Sequence, residues 1–415
     1  MVGLVLLAAS CGEAVAGGFG VEQSAYYQGM SFAGAAAGGE SLSSISWNPA
    51  TANFAGAGLT FESSYSVILM SADLTITNPG AQLVTGPADT EMGRNALIGA
   101  SYATWRLDNK MVLALSLTSP FGLGTKAKNQ DWVGSLEGVT TSLINLNAAP
   151  ILSYEIAHGV TVAAGLQVDY FDLQRQTAGN ATLRADDTNV GFVAGIDFAP
   201  SPDTSVGLGF RSAVNHTLKG HLTVDALGEA PIKASIILPE MLSLGVRHAV
   251  SPTMRLTGEV EWVNWSRFNV IPVVLQAPLL GVPAGTAGAN LDFQWRDGWL
   301  FGLGGEYDWS RALTLRTGIA YEISPVDGPT TRLVQDPDSN RVWASIGASY
   351  KWSADTRFDF SYSHVFFEDN APFNRVGASF PTPPLLGTAD VSMDIISVGY
   401  KVVWGGTPAV PVALK

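Results

Sequence analysis

From about residue 56 onward apolar and polar residues alternate one for one, a rhythm that suits pleated strands and no helix. In 206–218 the even positions carry Val206, Leu208, Phe210, Val214 and Leu218, opposite Gly207, Gly209, Arg211, Asn215 and Thr217. In 356–366 Phe358, Phe360, Tyr362 and Phe366 oppose Arg357, Asp359, Ser361 and Ser363, and the same pattern returns in 254–262 and 312–323. The connections have a rhythm of their own. Tight polar turns at 108–110, 157–159, 201–203, 251–253, 308–311 and 353–355 alternate with long connections at about 72–94, 122–137, 176–188, 219–237, 269–293, 324–340 and 368–389. Six short turns and seven long loops predict fourteen antiparallel strands, with both ends of the set on the short-turn side. The expected strands are 57–71, 95–107, 111–121, 138–157, 160–175, 189–200, 204–218, 238–250, 253–268, 294–308, 312–323, 341–352, 356–367 and 390–404.

Two architectures use such strands: a soluble sandwich or propeller, and an outer-membrane barrel with short periplasmic turns and long external loops. Composition separates them. Only 14% of the 415 residues are charged, against about 25% in soluble domains, and mean hydropathy is +0.19 without long apolar helices. Glycine, at 45 residues, and aromatics, at 10%, favour strands over helices. Trp105, Trp132, Trp262, Trp265, Trp299, Trp352 and Trp404 lie near strand ends, where interfacial girdles form. A charge on the lipid face costs ~2–4 kcal/mol at the midplane, so Arg211, Arg255, Glu259, Arg316 and Glu322 are expected in the lumen, paired with one another. The net charge of −13 argues against nucleic acid as a partner.

Residues 2–10 form an apolar run too short to span a bilayer, followed by Ala14-Val15-Ala16, a small-x-small cleavage signature. Residues 1–16 are expected to be a signal peptide; acylation of Cys11, the single cysteine, is the competing lipoprotein reading. Residues 269–291 carry no charge, but Pro272, Pro278 and Pro283 with Gly281, Gly285 and Gly288 exclude a membrane helix. Two readings stay open for them: an apolar loop folded over the barrel mouth, and an external capture surface.

Before the barrel stand Gly18-Phe19-Gly20-Val21-Glu22-Gln23-Ser24-Ala25, Phe32-Ala33-Gly34 and Trp47-Asn48-Pro49-Ala50. Further on come Ser119-Pro120-Phe121-Gly122, Leu238-Pro239-Glu240-Met241, Trp265-Ser266-Arg267-Phe268 and Leu315-Arg316-Thr317-Gly318. In order and spacing, over residues 18–404, this set resembles the FadL family of outer-membrane transporters for long-chain fatty acids and other hydrophobic compounds. The resemblance implies an all-β fold: a fourteen-stranded antiparallel transmembrane barrel, here 57–404, plugged by a small, partly helical N-terminal hatch, here 17–56. Residues 405–415 extend past the closing strand as a tail.

The resemblance also implies import by capture at external loops, binding in the lumen, gating by the hatch and lateral release through a kinked third strand. Pro120, Phe121 and Gly122 stand where that kink would fall, although Pro120 as a plain strand terminator explains the residues equally well. Phe19 is expected to cap the pocket, and Arg296 is the candidate for holding a carboxylate head group. Asn48, Pro49 and Ala50 are candidates for the gate, with a purely structural turn as the favoured reading. No hydrolase elbow, zinc-protease motif or phosphate loop occurs, so neither catalysis nor a cofactor is expected. His216, His221 and Asp225 can be drawn as a metal site, but solvated loop histidines are the expectation. Hydrophobic small molecules and outer-membrane lipids are the expected partners of a monomer. A general or small-aromatic diffusion porin is the competing function.

Overall fold

The computed structural model describes residues 23–80, 85–178, 181–375 and 384–405. They form a closed barrel of fourteen antiparallel strands. In chain order these are β1 (Leu59–Asn78), β2 (Ala96–Arg106), β3 (Met111–Thr118, resuming at Gly122–Lys126), β4 (Thr140–Ala157), β5 (Val160–Thr177), β6 (Ala181–Ser201), β7 (Thr204–Arg211, resuming at Val214–Val224), β8 (Gly228–Leu238 and Met241–Ser251), β9 (Met254–Val263), β10 (Gly298–Asp308), β11 (Leu313–Ile323), β12 (Arg341–Lys351), β13 (Thr356–Phe367) and β14 (Leu385–Trp404). Each pairs with its sequence neighbour, and β1 closes on β14 from Leu59↔Trp404 to Asn78↔Leu386. No helix among the described residues is long and apolar enough to cross a membrane.

The pleat sorts the side chains as the alternation predicts. On β13, Phe360, Tyr362 and Phe366 face outward while Arg357, Asp359, Ser361 and Ser363 are buried in the lumen. Arg211, Glu259 and Arg316 are buried on the inner side as well. Their partners are not one another: Arg255 and Arg316 pair with Glu306, Glu322 pairs with Arg341, and Glu259 accepts the backbone N–H of Ala36.

Strand β7 departs from the expected pattern. Leu208 faces outward, but Val214 and Leu218, of the same parity, are buried. The change of face occurs at Ser212-Ala213, where the ladder lapses and the β6 register moves by one residue, from Val193↔Arg211 to Asp186↔Lys219. A slip of one residue exchanges the two faces of everything beyond it. His216 is thereby turned inward, fully buried between Asp169 (3.1 Å) and Asp187 (3.2 Å), which corrects its expected place as a solvated loop residue. Trp132 and Trp265 are corrected too: both are buried inside, whereas Trp105, Trp299, Trp352 and Trp404 are exposed on the outer wall. Much of the expected loops 176–188 and 219–237 is strand. There the outward positions carry Arg184, Asp186, Lys219 and Lys233 while Leu183, Ala185, Leu218 and Ile232 remain buried, so the strands continue into water beyond the lipid.

The segment before β1 fills the lumen. It consists of a single helical turn, α1 (Ala25–Gln28), and two 3₁₀ turns, Leu42–Ser46 and Pro49–Phe54. Ser24, Ser41 and Asn48 cap these turns with side-chain oxygens. Wall glycines make room for it: a Cβ on Gly207 would lie 1.8 Å from the Ala36 carbonyl oxygen, and one on Gly209 1.7 Å from that of Trp47.

Charge fastens the opposite side of the plug. Tyr26 donates its hydroxyl to Glu306, whose carboxylate also accepts from Arg316 (3.0 Å), Arg255 (3.1 Å) and Arg247 (3.2 Å). The Arg316 guanidinium lies 3.5 Å from the Tyr26 ring centroid. Glu306→Gln strips several buried guanidinium groups of their shared counter-charge, and a loss of about 3–5 kcal/mol is expected. The urea midpoint of the refolded barrel measures it.

Candidate ligand site and wall break

Strand β3 is interrupted at Ser119-Pro120-Phe121. Up to Thr118 it pairs with both β2 and β4. From Gly122 it pairs with β4 alone, while the outer end of β2, through Ala96, pairs only with β1. Proline has no N–H to give the ladder. The freed backbone is taken up by the plug: Gln23 donates Nε2 to the Ser119 carbonyl (2.8 Å) and accepts the Ser119 N–H on Oε1 (3.3 Å). The wall discontinuity and the N-terminal end of the described plug are therefore one hydrogen-bonded unit.

Phe121, turned inward by the interruption, begins a run of rings. It meets Trp265 edge-on at 5.5 Å, Trp265 meets Phe268 at 5.2 Å, Phe268 stacks on Trp295 at 5.8 Å, and Trp295 meets Phe293 at 5.0 Å. Phe293 lines a cavity of about 80 Å³, together with Leu123, Leu143, Phe171 and Leu173. By the one-water measure of ~10–15 Å³, that holds several small groups.

Into this apolar surround project two guanidinium groups with no ion-pair partner among the described residues. Arg175, at the outer end of β5, donates Nη2 to the Glu137 carbonyl (2.6 Å). Arg375, from the short strand Ala371–Arg375, donates to the carbonyls of Thr330 (2.6 Å) and Asp292 (3.4 Å). The Nε atoms of both are buried without a hydrogen-bond partner, as are Thr141 Oγ1 and both carboxylate oxygens of Asp336, and all four residues line the cavity. Buried polar atoms are normally paired, so unpaired ones converging on one cavity suit a polar ligand group.

The sequence-derived candidates fall into three sets. Pro120, Phe121 and Gly122 meet at the wall break. Asn48, Pro49 and Ala50 open the second 3₁₀ turn: Asn48 accepts the Ala50 N–H (3.0 Å) and donates to the carbonyls of Ala36 (2.8 Å) and Ile196 (3.0 Å). The first two bonds brace the plug internally and the last ties it to the wall, and Asn48→Ala is expected to cost about 1–2 kcal/mol as the lost cap alone. Heating until the folded band disappears in gel electrophoresis measures it. Arg296 lies outside the cavity lining, half-exposed and paired with Asp327 at 2.6 Å. Phe19 and the signal-peptide segment fall outside the described residues.

Arg175, Asp336 and Arg375 were not singled out from sequence, because each is an ordinary polar residue at the edge of a long connection. The uncharged 269–291 segment supplies part of the setting. It folds as a hairpin, Val270–Leu275 with Ala287–Asp292, burying Ile271, Val273 and Leu291 in the main apolar cluster and exposing Val270 and Leu280.

The model of a family described as outer membrane protein transport proteins (OMPP1/FadL/TodX) matches residues 6–403. The chain belongs to this family. Among FadL-family relatives, the long-chain fatty acid transport protein of Escherichia coli O6:H1 is 26% identical over 75% of this chain and 66% of its own length. The curated relatives are spanned to different extents, 48% of one and 92% of another. The crystal structure of a Pseudomonas aeruginosa FadL homologue superposes with a TM-score of 0.82 at 19% identity, covering 94% of this chain and all of the other. The Pseudomonas putida toluene transporter TodX superposes at 0.68 with 14% identity over 92% of this chain and 99% of its own. The protein is thus an outer-membrane β-barrel of a family that transports hydrophobic compounds.

Proposed function

We propose that this FadL-family barrel imports long-chain fatty acids as a self-contained monomer. The observation that carries the proposal is the pair Arg175 and Arg375, whose Nε donors are buried and unused at a cavity lined largely by Leu123, Leu143, Phe171, Leu173 and Phe293. A ligand carboxylate gives these unused donors an acceptor, and charge-assisted bonds from guanidinium are the strong kind. The acyl chain, at ~0.8 kcal/mol per buried CH₂, does not leave readily into water. Its low-cost way out follows the rings from Phe293 to Phe121 and passes the interrupted wall at Pro120 into the bilayer. Gln23 links that step to the plug: when the hatch shifts, Ser119 loses both of its bonds to it.

Uptake of labelled oleate by cells tests the route. Pro120→Ala, which restores an N–H and lets the strand run straight, is expected to reduce uptake about tenfold in a barrel that still folds. Unchanged uptake refutes lateral exit at this point. Liposome swelling tests the class: a plugged lumen predicts no permeation by small sugars, whereas ready permeation makes the protein a general porin.

The aromatic run Phe121, Trp265, Phe268, Trp295 and Phe293 favours a second reading, transport of small aromatic hydrocarbons. Toluene binding that survives loss of both arginines, without any oleate binding by the unaltered barrel, selects it.

A further inference from the structure

We propose that the ligand of this cavity carries a hydroxyl group as well as its carboxylate, and that Asp336 accepts that hydroxyl: the cargo is a hydroxy-substituted fatty acid. The proposal rests on the head-group reading of Arg175 and Arg375 and narrows it.

Asp336 is 1% exposed, and neither oxygen has a hydrogen-bond partner. Its position is not accidental slack. Its N–H donates to the Leu333 carbonyl (3.2 Å), and the carbonyl of the preceding residue, Gln335, accepts from Thr125 (3.0 Å). The loop is thus pinned where it holds a carboxyl group at the cavity wall. Arg341 acts on it through charge, and no cation among the described residues donates a hydrogen bond to it. Arg341 pairs with Asp338 and Glu322, and the donors of Arg175 and Arg375 that are engaged go to backbone carbonyls. An unpaired buried carboxyl is costly, and a ligand donor that completes it recovers the cost.

The kind of donor follows from the surroundings. Burial, with Asp338 nearby, pushes the Asp336 pKa well above the usual carboxylate range. An ammonium group needs the ionised carboxylate and would also share the cavity with two guanidinium groups. A hydroxyl donates to the carboxyl in either protonation state and brings no charge. No group of carboxylates and histidines among the described residues is arranged to hold a metal ion.

The test uses the purified full-length barrel in detergent, with stearate and its 2-, 3-, 10- and 12-hydroxy derivatives competing against a fluorescent fatty acid. At least one hydroxystearate is expected to bind about tenfold more tightly than stearate. In Asp336→Leu that ratio is expected to fall to about one, and in Asp336→Asn, which keeps an acceptor oxygen, to stay above one. Retention of the heat-shifted band in gel electrophoresis verifies that each variant is folded. Stearate binding with no preference for any hydroxy derivative overturns the proposal and leaves the head-group reading standing. A preference that persists in Asp336→Leu overturns it as well. Failure of every acid to bind the unaltered barrel removes the head-group reading and this proposal together.

Discussion

Replacing Arg175 and Arg375 together by glutamine is expected to weaken oleate binding by about 100-fold. Each charge-assisted bond to a carboxylate contributes on the order of 1.5–3 kcal/mol, and the loss of two reaches ~3 kcal/mol or more, where 1.4 kcal/mol is a factor of ten. Glutamine keeps an amide donor for the carbonyls of Glu137, Thr330 and Asp292, so the loops have a means of staying in place. The informative comparison is the methyl ester of oleate, which has the same chain and no charge. Its affinity is expected to change by less than threefold, because the apolar lining of Leu123, Leu143, Phe171 and Leu173 is untouched. Equal losses for acid and ester indicate a collapsed cavity and contradict a charge-specific role for the arginines. Displacement of a fluorescent fatty acid supplies both values.

Gly209→Val is expected to open the barrel to sugars. Valine suits a strand better than glycine does, so the wall itself is not weakened. The new Cβ, however, falls 1.7 Å from the Trp47 carbonyl oxygen, far inside van der Waals contact and against backbone that no rotamer change relieves. The plug must then leave its seat, breaking the Asn48 bond to the Ile196 carbonyl of the wall. Liposome swelling by arabinose or glucose is expected to rise several-fold over the unaltered protein, while the heat-shifted band reports an intact barrel. A folded variant that stays sealed shows that glycine-lined wall contacts do not hold the hatch.

Strand number was legible because two independent rhythms, the pleat and the turns, agree over the whole chain. Each short turn carries residues that favour turning, and lipid makes outward residues apolar, so the alternation is sharp inside the membrane. Above it the outer neighbour is water. Arg184, Asp186, Lys219 and Lys233 then blur the pattern, and strand ends look like loops. Aromatics near strand ends proved ambiguous for a related reason: Trp105 and Trp265 have equal claims to a girdle in sequence, yet one is outside and the other buried. The face change in β7 leaves only the pair Ser212-Ala213 as a trace. The cavity was the least legible part, since Arg175 stands at the outer end of β5, Asp336 and Arg375 lie in two separate long connections, and the three line one cavity only through barrel closure. Arg296, chosen for its place near the start of a strand, is instead neutralised at the surface by Asp327.

The plug's contacts also set an order of events in assembly. Gln28 donates to the Ile395 carbonyl across a sequence separation of 367 residues, and Tyr26 reaches Glu306 across 280. Closing loops of that length early is entropically unfavourable, and non-local contacts of this kind form late. The part of the described chain that is synthesised first is therefore positioned among the last, when β14 arrives beside β1. Until that moment Gln28 of α1 lacks the Ile395 carbonyl and the Ser397 hydroxyl, both on β14. Sealing of the lumen then coincides with completion of the cylinder, so a half-built barrel is an open one, and premature arrest leaves a leak rather than a silent intermediate.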